Sequence, residues 1–515
     1  MKTKGFVKGA VILIIFNLIG KLVGAVYRIP LANILGSVGI GEYQLIFPLY
    51  SLLLAISISG IPIAISKIVA EYNSKNQFGD VKRLLKMALI YIFTLSLVCS
   101  GVVIAFSKFI ARVQGRSEIY FCYYAIAPSV LFVGVLSVFR GYFQGNLKMM
   151  PTALSYLIEQ IGKLVFGLYF TTRFIKNGVE YGVFGALLGI SISEFLALIF
   201  LAFYYIFYTR KHKTPRNYCL TKRAISKQLI MTSLPITFGG ISAPITAIID
   251  SLLVVNLLSH IGFSSKQATS LLGLQSGIVD PILNIPIVIA VAISASLLPN
   301  LTKVYTNGDN DEVKNLIEKA FQITLSVALA CSICFVIFGK QILTFLYSRS
   351  LTNYELDTAT KLLFLGGINL ILLSIVQVSA GILQGIGKQN LTVKSILVGS
   401  SVKIILTFAL VSMKQINIYG AMISGAVSYL VVFMINYRIV RKKTSARITN
   451  VFFNVSIQEC LVAFFAFFSN MLLFMTFGSN AALFGGGLTA IIIFIITYYV
   501  LFMIDKPKAI TSWLI

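Results

Sequence analysis

The sequence predicts an all-α polytopic membrane protein with fourteen transmembrane helices. They form two parallel six-helix repeats plus two C-terminal helices, with both termini cytoplasmic. Three observations lead there. Of 515 residues, 57% are hydrophobic and only 12% charged, against about 25% charged in an ordinary soluble domain. Apolar runs of spanning length, about 20 residues, recur along the whole chain. Segments 240 residues apart match without a gap. Together these exclude a soluble enzyme, a secreted disulfide scaffold, a disordered chain and a protein with one membrane anchor.

In chain order the spans are predicted at 9–35, 43–70, 84–107, 119–139, 152–173, 182–208, 229–258, 269–299, 315–338, 356–384, 391–412, 418–437, 452–477 and 481–504. Two of them, 269–299 and 356–384, are long and interrupted by Pro or Gly. The first follows Lys2, Lys4 and Lys8 and has no small-residue cleavage site, so it reads as a retained helix. The charge balance orients the set. The chain carries 43 Lys and Arg against 17 Asp and Glu, a net +26. With the N-terminus inside, 28 of the 43 bases fall on inner segments and the span ends beside them, and 10 on outer loops and the span ends beside them, as the excess of cytoplasmic Lys and Arg requires. The two most basic inner segments are 209–228 and 438–447. They read as topology signals lying beside anionic lipid rather than as a nucleic-acid surface. Cys331 and Cys334 have metal-like spacing, but they sit in the apolar run ALACSICFVIF and read as small core residues one turn apart. No metal site and no cofactor is predicted.

The repeat is read from GYFQGNLKMMPTALSYLIEQIGK (141–163) against GILQGIGKQNLTVKSILVGSSVK (381–403). Gln144-Gly145 matches Gln384-Gly385, and Lys163 matches Lys403. Residues 60–72 similarly resemble 294–305. The predicted organisation is a bundle over 1–208, a basic linker over 209–228, a second bundle over 229–437 and an added pair of helices within 438–515. Six spans is an even number, so both copies insert with one orientation. Parallel repeats of this kind are characteristic of transporters, with the substrate cavity where the repeats meet.

Ionisable residues inside spans are costly, and they face a cavity or a partner. Lys21 and Arg28 stand two turns apart on one face of the first span. Glu42 opens the second span and is expected to reach one of them from the outer side. Glu159 and Lys163 form a favourable i, i+4 pair. At the matching place in the second repeat, Ser400 and Ser401 occupy the region before Lys403, which points Lys403 toward an anion or an aqueous cavity. Pro235, Gly239, Gly240 and Pro244 predict a broken or bent seventh span suited to a moving gate. Asp250 and Asp280 are expected to pair with bases or to bind a coupling cation, and Glu194 is a lone acid in span 6. A cavity richer in positive than negative groups suits a phosphate or pyrophosphate head group.

FRGYFQGNLKMMP (139–151), LIEQIGK (157–163) and the opening KGAVILIIFNLIGKLVGAVYRIPLANILGSVGIGEY resemble the stage V sporulation protein B family. That family belongs with the MurJ-like lipid II flippases and polysaccharide exporters of the MOP superfamily, relatives of MATE transporters. The resemblance covers nearly the whole chain. It implies two six-helix bundles around a V-shaped cavity, with two C-terminal helices forming a groove for an undecaprenyl tail. It also implies basic cavity residues in the first span, matched here by Lys21 where the family uses Arg, and an acid at the start of the second, matched by Glu42. The expected function is a flippase for a polyprenyl-pyrophosphate-linked sugar in a bacterial cytoplasmic membrane, driven by Na+, H+ or the membrane potential. Its partners would be membrane lipid, the lipid-linked oligosaccharide and cell-wall synthesis proteins, and a forespore-associated membrane is one expected location. The alternative is a cation-coupled multidrug or metabolite antiporter of the same fold, using Asp250, Asp280 and Glu194. An enzyme is not expected: the outer loops are short and the two histidines, His212 and His260, lie far apart.

Overall fold

A backbone surrounded by hydrocarbon must satisfy its own hydrogen bonds, and the apolar runs do so by winding into helices. The computed structural model describes residues 2–58, 60–211, 219–444, 449–477 and 492. Every regular element among them is helical. In order these are α1 (Lys2–Ile58), α2 (Ile61–Ser74), α3 (Phe78–Val113), α4 (Cys122–Gly145), α5 (Met149–Phe174), α6 (Val179–Lys211), α7 (Lys222–His260), α8 (Ser265–Leu272), α9 (Asp280–Asn307), α10 (Asn310–Tyr347), α11 (Asn353–Gly385), α12 (Gln389–Val411), α13 (Tyr419–Thr444) and α14 (Thr449–Phe477). Among the described residues, nine helical segments are long and apolar enough to cross a membrane. Phe106, Phe109, Tyr169, Phe207 and Ile405 are more than half exposed on their surfaces, an apolar exterior suited to lipid rather than water. The predicted span at 481–504 lies outside the described residues.

Three local expectations are corrected. The outer loop expected between the first two spans is a single joint: Gly36 alone departs from helical backbone, at φ 69°, a left-handed conformation that glycine adopts without a side-chain penalty. The second predicted span, 43–70, is itself divided between α1 and α2. In the seventh span, predicted to be broken or bent, the helix is not broken: α7 runs through Pro235 and Pro244 without interruption. The interruption falls in the eighth span, where Gly273–Val279 is wound as a wider π-helical turn between α8 and α9.

The chain divides into two compact units, Met1–Ile278 and Val279–Ile515. The first unit thus holds α7 and α8, which the repeat pattern groups with the second copy. Glycine-lined contacts account for this. A Cβ on Gly41 would lie 2.0 Å from the Thr269 carbonyl oxygen, and one on Gly273 would lie 2.1 Å from that of Ser37. Backbone therefore meets backbone where α1 crosses α8 and the π-helical turn. Gly41→Ala is expected to destabilise the protein by about 1–3 kcal/mol through overpacking. A lower melting temperature in detergent would show this, and an unchanged one would contradict the packing.

Each unit, taken by itself, uses one packing device. In the first, Gly141 and Gly145 of α4 meet Pro62, Ser66 and Val69 of α2; in the second, Gly381 and Gly385 of α11 meet Ser294 and Leu301 of α9. Both helices end in a left-handed residue, Leu147 (φ 58°) and Gly387 (φ 72°). Each end is closed by the amide of the next residue, Lys148 to Phe143 and Lys388 to Leu383. The cores also correspond, with Ile65, Leu84, Ala88 and Phe143 buried in one and Leu297, Ile317, Phe321 and Leu383 in the other.

Candidate functional site

Four charged side chains meet inside the first unit. Arg140 comes from the last turns of α4, Glu159 and Lys163 from successive turns of α5, and Glu194 from α6. Arg140 Nη2 donates to Glu159 Oε2 at 2.9 Å, and its Nε donates to Ser155 Oγ at 2.9 Å. Lys163 Nζ lies 2.7 Å from Glu159 Oε1 and 3.5 Å from Glu194 Oε1. The Tyr50 hydroxyl of α1 donates to Glu194 at 2.6 Å. The Arg140 guanidinium also lies 3.8 Å from the centroid of the Tyr156 ring. These side chains are 6%, 10%, 19% and 1% exposed for Arg140, Glu159, Lys163 and Glu194. At such burial each charge needs its partner, since removing one leaves another uncompensated. Gly162 makes the approach feasible: a Cβ there would lie 2.6 Å from Ser193 Cβ, so α5 and α6 close tightly beside Lys163 and Glu194.

The i, i+4 pair expected from the sequence is present, but it forms the centre of a larger network. Arg140 counts in the sequence as an inner-segment base and Glu194 as a lone acid. The missed signal is the position of Arg140 within FRGYFQG, apolar on both sides and with no acid near it in sequence.

Arg28 stands apart from this network. It is half-buried on α1, and its guanidinium carbon lies 5.9 Å from the centroid of the Phe47 ring. Among the described residues, no carboxylate comes within ion-pair distance of it. Phe47 packs edge-on against Tyr50, ring centroids 5.8 Å apart, and the Tyr50 hydroxyl reaches Glu194, so two aromatic rings link Arg28 to the network. The Lys21 side chain lies outside the described residues. On either side of it, Gly20 and Gly24 pack against Gln160 of α5, with Cβ positions 3.3 and 3.4 Å away.

Glu42 corrects a further expectation. It is fully buried, and its carboxylate takes the guanidinium of Arg116 rather than that of Arg28. Arg116 also reaches Glu180 at 3.2 Å and Glu118 at 3.5 Å. The reason is local: Gln114 Nε2 donates to the Leu45 carbonyl at 2.8 Å, which fixes the turn carrying Arg116 beside Glu42. The base nearest in space comes from a turn the sequence reading counted as an outer loop.

Asp250 of α7 and Pro244 before it are half-buried in the first unit. The side chain of Pro235 lies outside the described residues. Asp280 opens α9, and Lys403 lies on α12; both are half-buried in the second unit. Asp250, Asp280 and Lys403 each engage other groups of the protein.

Long apolar helices, backbone contacts through glycine and a buried charge network define a multi-pass helical membrane protein. Solved structures give its fold. Lipid II flippase MurJ in an inward closed conformation superposes with TM-score 0.73 at 15% identity, over 95% of this chain and 98% of that one. A multidrug resistance MATE family transporter of the MOP superfamily, inward-facing, superposes with TM-score 0.66 at 16% identity, over 83% and 96%. Residues 6–305 match the polysaccharide biosynthesis protein family, and the chain belongs to that family. Residues 235–409 also match the MatE family. Among characterised sequences, the chain is similar to lipid II flippase MurJ of Bacillus subtilis, 26% identical over 84% of this chain and 82% of that protein. It is also similar to stage V sporulation protein B of the same organism, 25% identical over 86% and 85%.

Proposed function

We propose that the protein is a flippase for a polyprenyl-pyrophosphate-linked sugar, lipid II or a related cell-envelope or spore-cortex precursor. It would act in the bacterial cytoplasmic membrane by alternating access. The observation that carries this reading is Arg28, a half-buried guanidinium with no carboxylate at ion-pair distance among the described residues, beside a network whose charges already balance. A cation in such a place favours an anionic ligand, and a guanidinium offers a phosphate two parallel donors. In this reading Lys21, Arg28 and Lys403 neutralise phosphate. Glu159 and Glu194 hold Lys163 and Arg140 in place, and Glu42 holds Arg116. Asp250 and Asp280 are the acids for a coupling Na+ or H+, with the membrane potential as the other driving force. The polyprenyl tail stays in the bilayer along the helices of 438–515, in a fourteen-span topology with both termini cytoplasmic and repeats over 1–208 and 229–437.

The second reading, a cation-coupled drug or metabolite antiporter, is favoured by the MatE match over 235–409. Proteoliposomes separate the two. The flippase reading expects transfer of a defined lipid-linked precursor to the opposite leaflet and no export of a cationic dye. Dye export without precursor transfer would replace it with the antiporter.

A further inference from the structure

A second basic site lies in the first unit, away from the buried network. Lys222, Arg223 and Lys227 of α7 share a cavity of about 460 Å³ with Met87 of α3 and Ile230 and Met231 of α7. Lys222, Arg223 and Lys227 are all exposed. None has a carboxylate at ion-pair distance among the described residues.

The acids at this end of the unit are occupied elsewhere. Glu71 binds Lys75 at 2.7 Å and accepts from Gln228 Nε2 at 3.1 Å. Asp80 is fully buried and accepts from the amides of Cys219 at 2.9 Å and Leu220 at 3.4 Å. Arg83 adds a bond to the Leu220 carbonyl, and the Thr221 hydroxyl caps α7 by accepting from the Ala224 amide at 3.3 Å. The start of α7 is therefore clamped onto α3, and the cationic group is held in place rather than carried on a free loop.

The other half of the cavity is apolar, and its apolar character continues beyond it. Met231 is 64% exposed, and one turn along each helix Ile90 and Leu234 are 57% and 43% exposed. Cations at one end and an exposed hydrocarbon track leading away describe an amphiphile rather than a soluble anion. The basic segment is also the one the charge distribution assigns to the cytoplasmic interface, where anionic lipid head groups are met.

We propose that this pocket binds the phosphate head group of an anionic diacyl phospholipid, with Lys222, Arg223 and Lys227 around the phosphate and one acyl chain along Met87, Ile90, Met231 and Leu234. The site goes beyond the flippase reading and does not depend on it. A basic residue close to an anionic lipid surface contributes about fivefold in affinity, so the three together contribute on the order of 100-fold.

The test uses the full-length protein in detergent, with bound lipid counted by native mass spectrometry during titration. The probes are phosphatidylglycerol, phosphatidylcholine and, as a soluble phosphate, glycerol 3-phosphate. The site variant is Lys222→Gln/Arg223→Gln/Lys227→Gln. The control, Lys303→Gln/Lys314→Gln/Lys319→Gln, removes equal charge from the other unit. A milder variant, Met231→Glu, puts an acid at the apolar edge of the pocket and serves if the triple variant does not fold. The expected result is at least a tenfold weakening of the tightest phosphatidylglycerol in both site variants, with none in the control. Equal weakening in the control, equal occupancy by phosphatidylcholine, or displacement by glycerol 3-phosphate at equal concentration would overturn the proposal. The last outcome would make the pocket a site for soluble phosphates.

Discussion

Replacing Arg28 with alanine is expected to slow translocation of a lipid-linked precursor by on the order of 100-fold, with little loss of stability. The rate estimate follows from the bond removed: a hydrogen bond to a charged group contributes about 1.5–3 kcal/mol, and a guanidinium can make two to one phosphate. The stability estimate follows from what Arg28 touches within the protein, a Phe47 ring at 5.9 Å and no carboxylate at ion-pair distance among the described residues. A cation–π contact of that length at a partly solvated site is worth about 0.5–1 kcal/mol. Arg28→Lys keeps the charge but loses the planar fork, and an intermediate rate, reduced about tenfold, is expected. The assay is precursor transfer in proteoliposomes, normalised to folded protein. Wild-type transfer by Arg28→Ala would remove Arg28 from the substrate path, and collapse of the fold would mean that it is a structural residue instead.

Glu159→Gln is expected to act in the opposite way, through stability first. Glu159 accepts from Arg140 at 2.9 Å and from Lys163 at 2.7 Å, and all three side chains are largely buried. Neutralising it leaves two buried bases facing the single carboxylate of Glu194, which only Lys163 reaches, at 3.5 Å. Breaking a buried pair on one side costs about 3–5 kcal/mol, which would appear as a marked fall in melting temperature in detergent. The double variant Arg140→Gln/Glu159→Gln leaves Lys163 with Glu194 and restores the balance of charge. It should recover a substantial part of the loss. If the double variant were as unstable as the two single losses added together, the residues would act independently and the network would not be one unit.

The all-helical character was legible because lipid imposes a strong rule, apolar length for a helix. The Glu159–Lys163 pair was legible because one helical turn separates its members. Arg140 and Glu194 were not, since they meet Glu159 and Lys163 from other helices, and spacing along the chain says nothing about how two helices are rotated against each other. Glu42 shows the same limit. Its partner Arg116 is 74 residues away and is brought to it by a turn that Gln114 fastens to Leu45. The break or bend expected in α7 was read from Pro235, Gly239, Gly240 and Pro244, and local preference by itself did not interrupt the helix. The matched residues group α8 with the second predicted copy, yet Gly41 and Gly273 bring α1 against α8 and the π-helical turn, a contact with no trace in the periodicity.

The unbroken course of α7 has a mechanical meaning. Its 39 residues follow about 58 Å of helix path, nearly twice the roughly 30 Å thickness of the hydrocarbon layer. The two residues that lead into α7, Cys219 and Leu220, are tethered to Asp80 and Arg83 at the start of α3, so the Lys222 end is the anchored one. A change at that end, where lipid is proposed to sit, would then be felt along one continuous helix as far as His260.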